Sequence, residues 1–472
     1  MKKSNHSILV STIIFFIIFM GMIVYLVFFN TVKSEKIINN PYNKRQNVLA
    51  KKVIRGSIYS SDKKILAYTK VNDDKSETRI YPYSNVFSHV VGYTGNGGLG
   101  LEKLSAYYML QSDQNFFDKI GNDLSGNRNL GNNVITTLDT TLQQKAYEAL
   151  GNNRGAVVVM EVKTGRVLAM VSKPDFDPNT VSFEWSEIIK PGNDSILVNR
   201  ATSGLYPPGS TFKLVTMLEF IRENENPEEY HFVCEGGYDV EGTRINCMQK
   251  NPHGSLDLTD SLARSCNSSF INIGLSLDVK SFKKTAQELL FNTNLPIGLE
   301  HNNSKFMLNE ASSKWDIAQT SFGQGKTVIT PFHLCLISCA IANSGVLMEP
   351  VFIDKIENCN GITVKNFIPK EYRKIMSEEE TEYLKKGMEQ VFYQSFYGLF
   401  ADAGYTIALK SGTAQYGTKG YEHSLMTSFS PVDNPEIAVA VVVEGGPQKD
   451  RVSAEVAKAV YDLYYSLEEK YH

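Results

Sequence analysis

The longest hydrophobic run in the chain stands near its start. From Ile8 to Phe29 the residues are apolar, interrupted only by small or weakly polar ones such as Ser11, Thr12, Gly21 and Tyr25. At about 1.5 Å per residue a helix over this run spans roughly 33 Å, enough to cross a hydrocarbon core. A cleavable secretory leader should carry a shorter apolar stretch and end in small residues, whereas Val27-Phe28-Phe29-Asn30 closes this one. The pattern therefore predicts an uncleaved anchor with residues 1–7 as a short cytoplasmic tail. Lys2 and Lys3 precede the run, but Lys33, Lys36, Lys44 and Arg45 follow it and weaken any charge-based orientation.

Beyond the anchor the periodicity changes. Arg55 to Tyr59 and Ile65 to Tyr68 flank a polar turn and read as a hairpin. Ser88 to Leu110 is glycine-punctuated with short helical patterns, and Gly121 to Asn133 is rich in Gly, Asn and Asp, as a linker would be. Thr140 to Leu150 has helical spacing. Ala156 to Glu161 and Arg166 to Ser172 read as strands joined at Lys163-Thr164-Gly165, and a mostly helical middle follows. Three further strands are expected at Thr406 to Lys410, Leu425 to Ser430 and Ile437 to Glu444. A closing helix begins at Ser453, with Val456, Val460, Leu463 and Leu467 on one face. Strands from both ends with helices between predict an α+β domain over 133–472, after a smaller domain and linker over 30–132.

Composition narrows the function classes. The 472 residues carry 48 Lys+Arg against 51 Asp+Glu, a net charge of −3. No basic excess exists to neutralise a phosphate backbone, so no nucleic-acid partner is expected.

The candidate chemistry begins at Pro207-Pro208-Gly209-Ser210-Thr211-Phe212-Lys213. The prolines and glycine stop the preceding element, and the apolar Phe212 to Ile221 continues as a buried helix. Ser210 thus stands at a helix N-terminus, where unpaired N–H groups favour developing negative charge. Lys213 lies one turn on, on the same face. Burial lowers a lysine's pKa and yields a neutral amine able to take the serine proton. Two more patterns follow in order. Ser265-Cys266-Asn267 falls in the apolar, helical stretch Leu262 to Ile273, and Lys410-Ser411-Gly412-Thr413 ends the strand Tyr405 to Leu409. Each alone is common. The ordered triple is the signature of penicillin-binding proteins and class A β-lactamases.

The chain resembles the class B penicillin-binding proteins over nearly its whole length. Arg55-Gly56-Ser57-Ile58 and Gly100-Leu101-Glu102 resemble motifs of the family's non-catalytic domain. Leu138-Asp139 with Leu142-Gln143, Gly155 to Ser172, Asn199-Arg200-Ala201, Gln319 to Gly325 and Thr330-Pro331 resemble its transpeptidase domain. The resemblance implies a five-stranded antiparallel sheet between helical layers, preceded by a small non-catalytic domain and one transmembrane helix. It also implies an extracytoplasmic D,D-transpeptidase acting on peptidoglycan stem peptides, inhibited by β-lactams and working beside a membrane glycan polymerase. By the same resemblance Ser210 is the nucleophile, Lys213 the base and Ser265 a proton relay. Asn267 positions the substrate amide, Lys410 makes the cleft electropositive, Ser411 and Thr413 bind the terminal carboxylate, and Gly412 lets substrate pass close. One departure stands out: the segment around His423 lacks the aromatic residue the family usually carries there.

Relatives sharing the motifs set the alternatives. A class A β-lactamase needs a deacylating Glu, and Glu300-His301-Asn302-Asn303 has the Glu with the wrong continuation. A class D lactamase usually has Val or Ile where Asn267 stands. A β-lactam sensor normally carries several spans, and a D,D-carboxypeptidase shares the acyl-enzyme. A glycosyltransferase domain does not fit before the linker.

Catalysis of this kind requires no cofactor, yet one cluster suggests a structural metal. His231, Cys234, Cys247 and His253 supply four N/S ligands around glycine-rich turns, a set suited to tetrahedral zinc. A Cys234–Cys247 disulfide and free thiols remain open, since an extracytoplasmic site permits oxidation. Cys266 is expected to point into the core.

Overall fold

The computed structural model describes residues 2–29, 45–190, 195–416, 421–446 and 451–468. Lys33, Lys36 and Lys44 lie outside them. The N-terminal helix Lys2–Phe28 contains a candidate membrane span, His6–Phe28, that buries none of its apolar surface against the rest of the chain.

The catalytic half is organised around one five-stranded sheet. Its strands run in the order Ala408–Tyr416, Tyr421–Ser430, Ile437–Gly446, Gly155–Glu161 and Val167–Lys173, every pair antiparallel. Two strands come from the start of the domain and three from its end, so the sheet closes only when distant segments meet. The central strands are apolar on both faces: Ala156 to Met160 and Ile437 to Val443 are all buried. This is possible because helices cover both sides. Thr140–Leu150 and Val452–Glu468 pack on one, and Pro331–Ala342, every residue of which is buried, on the other.

A second sheet of six strands is assembled across the chain. Its order is Thr363–Asn366, Ile353–Glu357, Asn133–Thr136, Ile58–Tyr59, Ile65–Val71 and Glu77–Ile80. The expected hairpin is its Ile58–Tyr59 and Ile65–Val71 pair. Two of its strands come from beyond residue 350, deep in the catalytic half. Thr137 Oγ1 ties the two sheets by donating to Val167 O at 2.7 Å or Val351 O at 2.8 Å. Below this sheet Glu102 is buried between Arg55 and Arg79, with an ion-pair distance of 2.7 Å to each. Desolvation opposes its charge, but the two guanidiniums outweigh it and hold the carboxyl below its ordinary pKa. The motifs Arg55-Gly56-Ser57-Ile58 and Gly100-Leu101-Glu102 thus meet in one buried ion network.

Three local expectations are corrected. The helix read through Leu262 to Ile273 is two helices, Leu258–Ala263 and Asn267–Ser276, broken at Arg264-Ser265-Cys266. The strand expected to end at Lys410 continues through the motif to Tyr416. The beginning of the expected linker is helical, as the end of the helix Phe116–Leu124.

Candidate active site and a buried cysteine cluster

Three motifs meet at one cleft of about 860 Å³, lined among others by Ser210, Ser265, Asn267, Lys410, Ser411 and Thr413. Ser210 sits in the 3₁₀ turn Gly209–Phe212, which leads directly into the helix Lys213–Glu223. The turn packs on the third-motif strand with no room for side chains. A Cβ on Gly209, whose φ is +54°, would lie 2.8 Å from Thr413 O, and one on Gly412 would lie 2.9 Å from Pro208 O. From the other side Gly209 N donates to Gly323 O at 2.9 Å, and Gln324 Nε2 reaches Thr413 O at 3.4 Å. The Gln319 to Gly325 segment therefore braces the turn that carries the nucleophile.

Ser265 occupies the helix break with φ +49°, a left-handed backbone that side chains other than glycine adopt at a cost. The break turns its hydroxyl toward two buried lysines. Lys213 Nζ lies 2.6 Å from Ser265 O, 3.1 Å from Ser265 Oγ and 2.8 Å from Asn267 Oδ1. Lys410 Nζ lies 3.1 Å from the same Ser265 Oγ and 2.8 Å from Ser411 O. Both lysines have no exposed surface. Burial pushes Lys213 down to about 7, against a smaller upward pull from Cys266 and Cys247. Burial, then repulsion from Lys213, drives Lys410 well below the ordinary lysine range. The neutral form of Lys213 has two N–H bonds for Ser265 O and Asn267 Oδ1, which leaves a lone pair to accept a proton.

His423, where the sequence departs from the family pattern, packs on an aromatic ring from another segment. It is buried edge-on against Tyr206, with ring centroids 5.4 Å apart, and its Nδ1 accepts from Gly445 N at 3.2 Å. Tyr206 in turn donates to Glu444 at 2.7 Å. Residues of the cleft that the motifs did not flag include Arg264, Gln324, Gln415 and Glu422. Only Gln324 carried a signal, through the Gln319 to Gly325 match.

Directly behind Ser265 and Asn267 lies a cluster that revises the expected metal set. Cys234 Sγ and Cys247 Sγ are 3.7 Å apart, Cys247 Sγ and Cys266 Sγ 3.8 Å, and Cys234 Sγ and His253 Nδ1 3.4 Å. These four ligand atoms all lie within 4.8 Å of one another. His231 is not among them: it is exposed, and its Nε2 pairs with Ser255 Oγ at 2.5 Å. The strand Phe232–Cys234 alternates sides, so it turns Cys234 inward, and Cys266 fills the place expected for His231. Cys266 caps the helix Asn267–Ser276 through Ser269 N at 3.4 Å. At 3.7 Å the sulfurs of Cys234 and Cys247 are not joined, since a disulfide bond is about 2.05 Å long.

Residues 155–462 match the penicillin binding protein transpeptidase domain, and residues 55–134 the penicillin binding protein A dimerisation domain. The chain belongs to the penicillin-binding protein transpeptidase family. Among its curated relatives is the peptidoglycan D,D-transpeptidase PbpA of Mycolicibacterium smegmatis, 30% identical over 85% of this chain and 85% of that protein. The peptidoglycan D,D-transpeptidase MrdA of Acinetobacter baumannii is 26% identical over 83% of this chain and 67% of its own length. The penicillin G acyl-enzyme complex of penicillin-binding protein A from M. tuberculosis superposes with a TM-score of 0.77 at 26% identity, covering 87% of this chain and 99% of that one.

Proposed function

We propose that the chain is a single-pass membrane D,D-transpeptidase that cross-links peptidoglycan stem peptides through an acyl-enzyme at Ser210, with its catalytic half outside the cytoplasmic membrane. The observation that carries this reading is the Ser265 hydroxyl held at 3.1 Å from both Lys213 and Lys410, at the cleft that Ser210 lines.

Ser210 Oγ attacks the carbonyl of the penultimate D-Ala of a donor stem peptide, and its proton passes to Lys213 Nζ. Backbone N–H groups of Ser210 and Thr413 receive the oxyanion; losing one such donor typically costs about 3–4 kcal/mol. Collapse breaks the C–N bond to the terminal D-Ala, whose amine takes the proton from Lys213 through Ser265. Asn267 holds the substrate amide and Ser411 and Thr413 the terminal carboxylate, whose negative charge draws Lys410 back to its protonated form against the burial that lowers its pKa. An amine from a second stem peptide then attacks the ester and restores Ser210. A β-lactam follows the same first step, but its leaving amine stays tethered. A membrane glycan polymerase is the expected neighbour, because cross-linking needs fresh strands.

Intact-mass analysis after penicillin exposure should give one adduct on the wild type and none on Ser210→Ala. An adduct persisting on the alanine variant sinks the assignment. Incubation with a stem pentapeptide and an amine acceptor should give cross-linked product. Release of D-Ala without cross-linking would make the enzyme a D,D-carboxypeptidase.

The same reading includes a structural zinc held by Cys234, Cys247, His253 and Cys266. Tetrahedral zinc with thiolates at about 2.3 Å places sulfurs about 3.8 Å apart, the spacing between the cluster's sulfurs. The site would fix the second motif from behind, since Cys266 stands between Ser265 and Asn267. Metal analysis of reduced protein should find one zinc per chain. A protein free of metal, with melting unchanged in chelator, ends the zinc proposal.

A further inference from the structure

The helix Phe116–Leu124 is amphipathic the wrong way round for a soluble domain. At about 100° per residue, Phe116, Phe117, Ile120 and Leu124 fall within an arc of roughly 100°. All four face solvent, with 69%, 77%, 41% and 84% of their surface exposed. The opposite face holds the helix to the protein: Asn122 Nδ2 donates to Asn129 Oδ1 at 3.1 Å, and Lys119 is half-buried. Four large apolar side chains on one short helix, all pointing outward, are an interaction surface and not scattered exposure.

The position of the helix in the fold decides what covers them. After the apolar N-terminal helix, the chain re-enters the described structure as the helix Arg45–Lys52 and runs straight into the strand Val53–Ile54. That strand pairs in parallel with Asn129–Leu130, Val53 opposite Asn129 and Ile54 opposite Leu130. The helix Phe116–Leu124 packs on this same Asn129–Leu130 strand. Arg128 closes the corner by donating to Ala50 O at 3.2 Å. Leu130 extends the apolar patch, being itself exposed. The patch therefore lies at the point where the folded domain joins its connection to the membrane. Lys51 and Lys52, exposed in the last turn of the incoming helix, put positive charge beside it. The helix itself carries Asp118 and Asp123 beside Lys119, so the positive charge available to anionic headgroups comes from Lys51 and Lys52 of the incoming helix, next to an apolar arc of the kind that lies in a bilayer interface.

We propose that the helix Phe116–Leu124 is an interfacial helix, with Phe116, Phe117, Ile120 and Leu124 seated in the phospholipid bilayer spanned by the N-terminal helix. The inference rests on that helix being an anchor. With this second attachment to the membrane surface, the catalytic cleft is held at a set orientation and does not swing on a tether.

The test uses the full chain in liposomes of phosphatidylethanolamine and phosphatidylglycerol, with or without bromine on the acyl chains. Flotation of the protein with the liposomes establishes the anchor independently. Phe117→Trp introduces an indole beside the two native tryptophans, Trp185 and Trp315, whose signal is subtracted using the wild type. The introduced indole should emit at shorter wavelength than in water and lose more than half its intensity in brominated lipid. Flotation with an unquenched, water-like indole overturns the proposal. A blue shift that persists in detergent, depends on protein concentration and is insensitive to bromine also overturns it, assigning the patch to a second copy of the chain. As a further check, serine at all four apolar positions should leave penicillin acylation unchanged. In liposomes the same variant should be cut by trypsin at Lys51 and Lys52 several-fold faster than the wild type. An equal rate counts against the proposal.

Discussion

Lys213 grips Ser265 twice, at its carbonyl oxygen 2.6 Å away and at its hydroxyl 3.1 Å away. The lysine that must accept a proton is therefore positioned by the backbone of a strained residue, and its charge state is set by burial. With its pKa lowered to about 7, the amine is half protonated near neutrality. Acylation by a β-lactam should lose about tenfold per pH unit below that point, because the protonated form has no lone pair to offer. Stopped-flow acylation between pH 5 and 9 measures this. The same group shapes stability. Between the folded value of about 7 and the unfolded value near 10.5, the unfolded chain binds a proton that the folded chain refuses. Stability should thus fall as pH drops through that window, and Lys213→Met should weaken the dependence, leaving the part that buried Lys410 contributes, while abolishing acylation.

Gly412→Ala and Gly323→Ala should separate activity from folding. A Cβ at Gly412 would meet Pro208 O at 2.9 Å and Thr211 Cγ2 at 3.1 Å, a clash that a small shift of the nucleophile turn relieves. The expected result is acylation slowed by about 10²-fold with little change in melting, since misplacement by a fraction of an ångström is enough. A Cβ at Gly323 would lie 1.7 Å from Gly209 O, at φ +86°. That variant should be destabilised outright, by about 3 kcal/mol or more in denaturant melts.

Removing one carboxylate far from the cleft should cost more than most active-site changes. Glu102→Ala leaves Arg55 and Arg79 facing each other in the interior. Breaking such a buried network typically costs about 3–5 kcal/mol. Thermal melting of Glu102→Ala should show the loss, and Glu102→Leu should recover little, because both guanidiniums stay.

His253→Ala and His231→Ala distinguish the two histidines flanking the cysteines. His253 Nδ1 faces Cys234 Sγ, whereas His231 reaches only a surface serine. Chelator-sensitive melting should disappear in His253→Ala and persist unchanged in His231→Ala.

Deacylation should be slow, with label retained for hours. Glu300 is ion-paired to Lys103 and is absent from the cleft lining, so it does not serve an acyl-ester at Ser210. Glu422 does line the cleft, but it accepts from Gln415 Nε2 at 3.3 Å. Release of fluorescent penicillin within minutes would point back to a lactamase, and Glu422→Gln would then show whether this carboxylate is responsible.

The motifs and the central sheet were legible because their signals are local. Alternating or continuous apolar runs marked Gly155–Glu161 and Ile437–Gly446, and Ser210, Lys213 and Lys410 fell on the elements expected of them. Three features were hidden for physical reasons. The break at Arg264-Ser265-Cys266 has no glycine or proline to mark it, and its left-handed residue is a serine. The strand through Lys410 to Tyr416 is masked because Ser411, Gly412 and Thr413 lack large side chains to alternate. Cys266 was read as core filling: it is core, but what it packs against is two other cysteines. Spacing along the chain could propose His231 and could not see that strand alternation turns it outward.

The six-stranded sheet has a mechanical consequence. Because Ile353–Glu357 pairs with Asn133–Thr136, and that strand with Ile58–Tyr59, the two halves share one ladder of backbone hydrogen bonds. Arg166, next to the five-stranded sheet, adds an ion pair to Asp354 at 2.8 Å and so ties that sheet to this one. A pull on the chain at residue 45 would reach these strands through two short parallel pairings, Val53–Ile54 with Asn129–Leu130 and Ile58–Tyr59 with Val134–Ile135. Force entering at the N-terminal end would therefore pass into strands from both halves of the chain and not stop at a hinge between them. An excised fragment starting at residue 155 would lose these pairings and expose a bare strand edge ready to pair with another molecule.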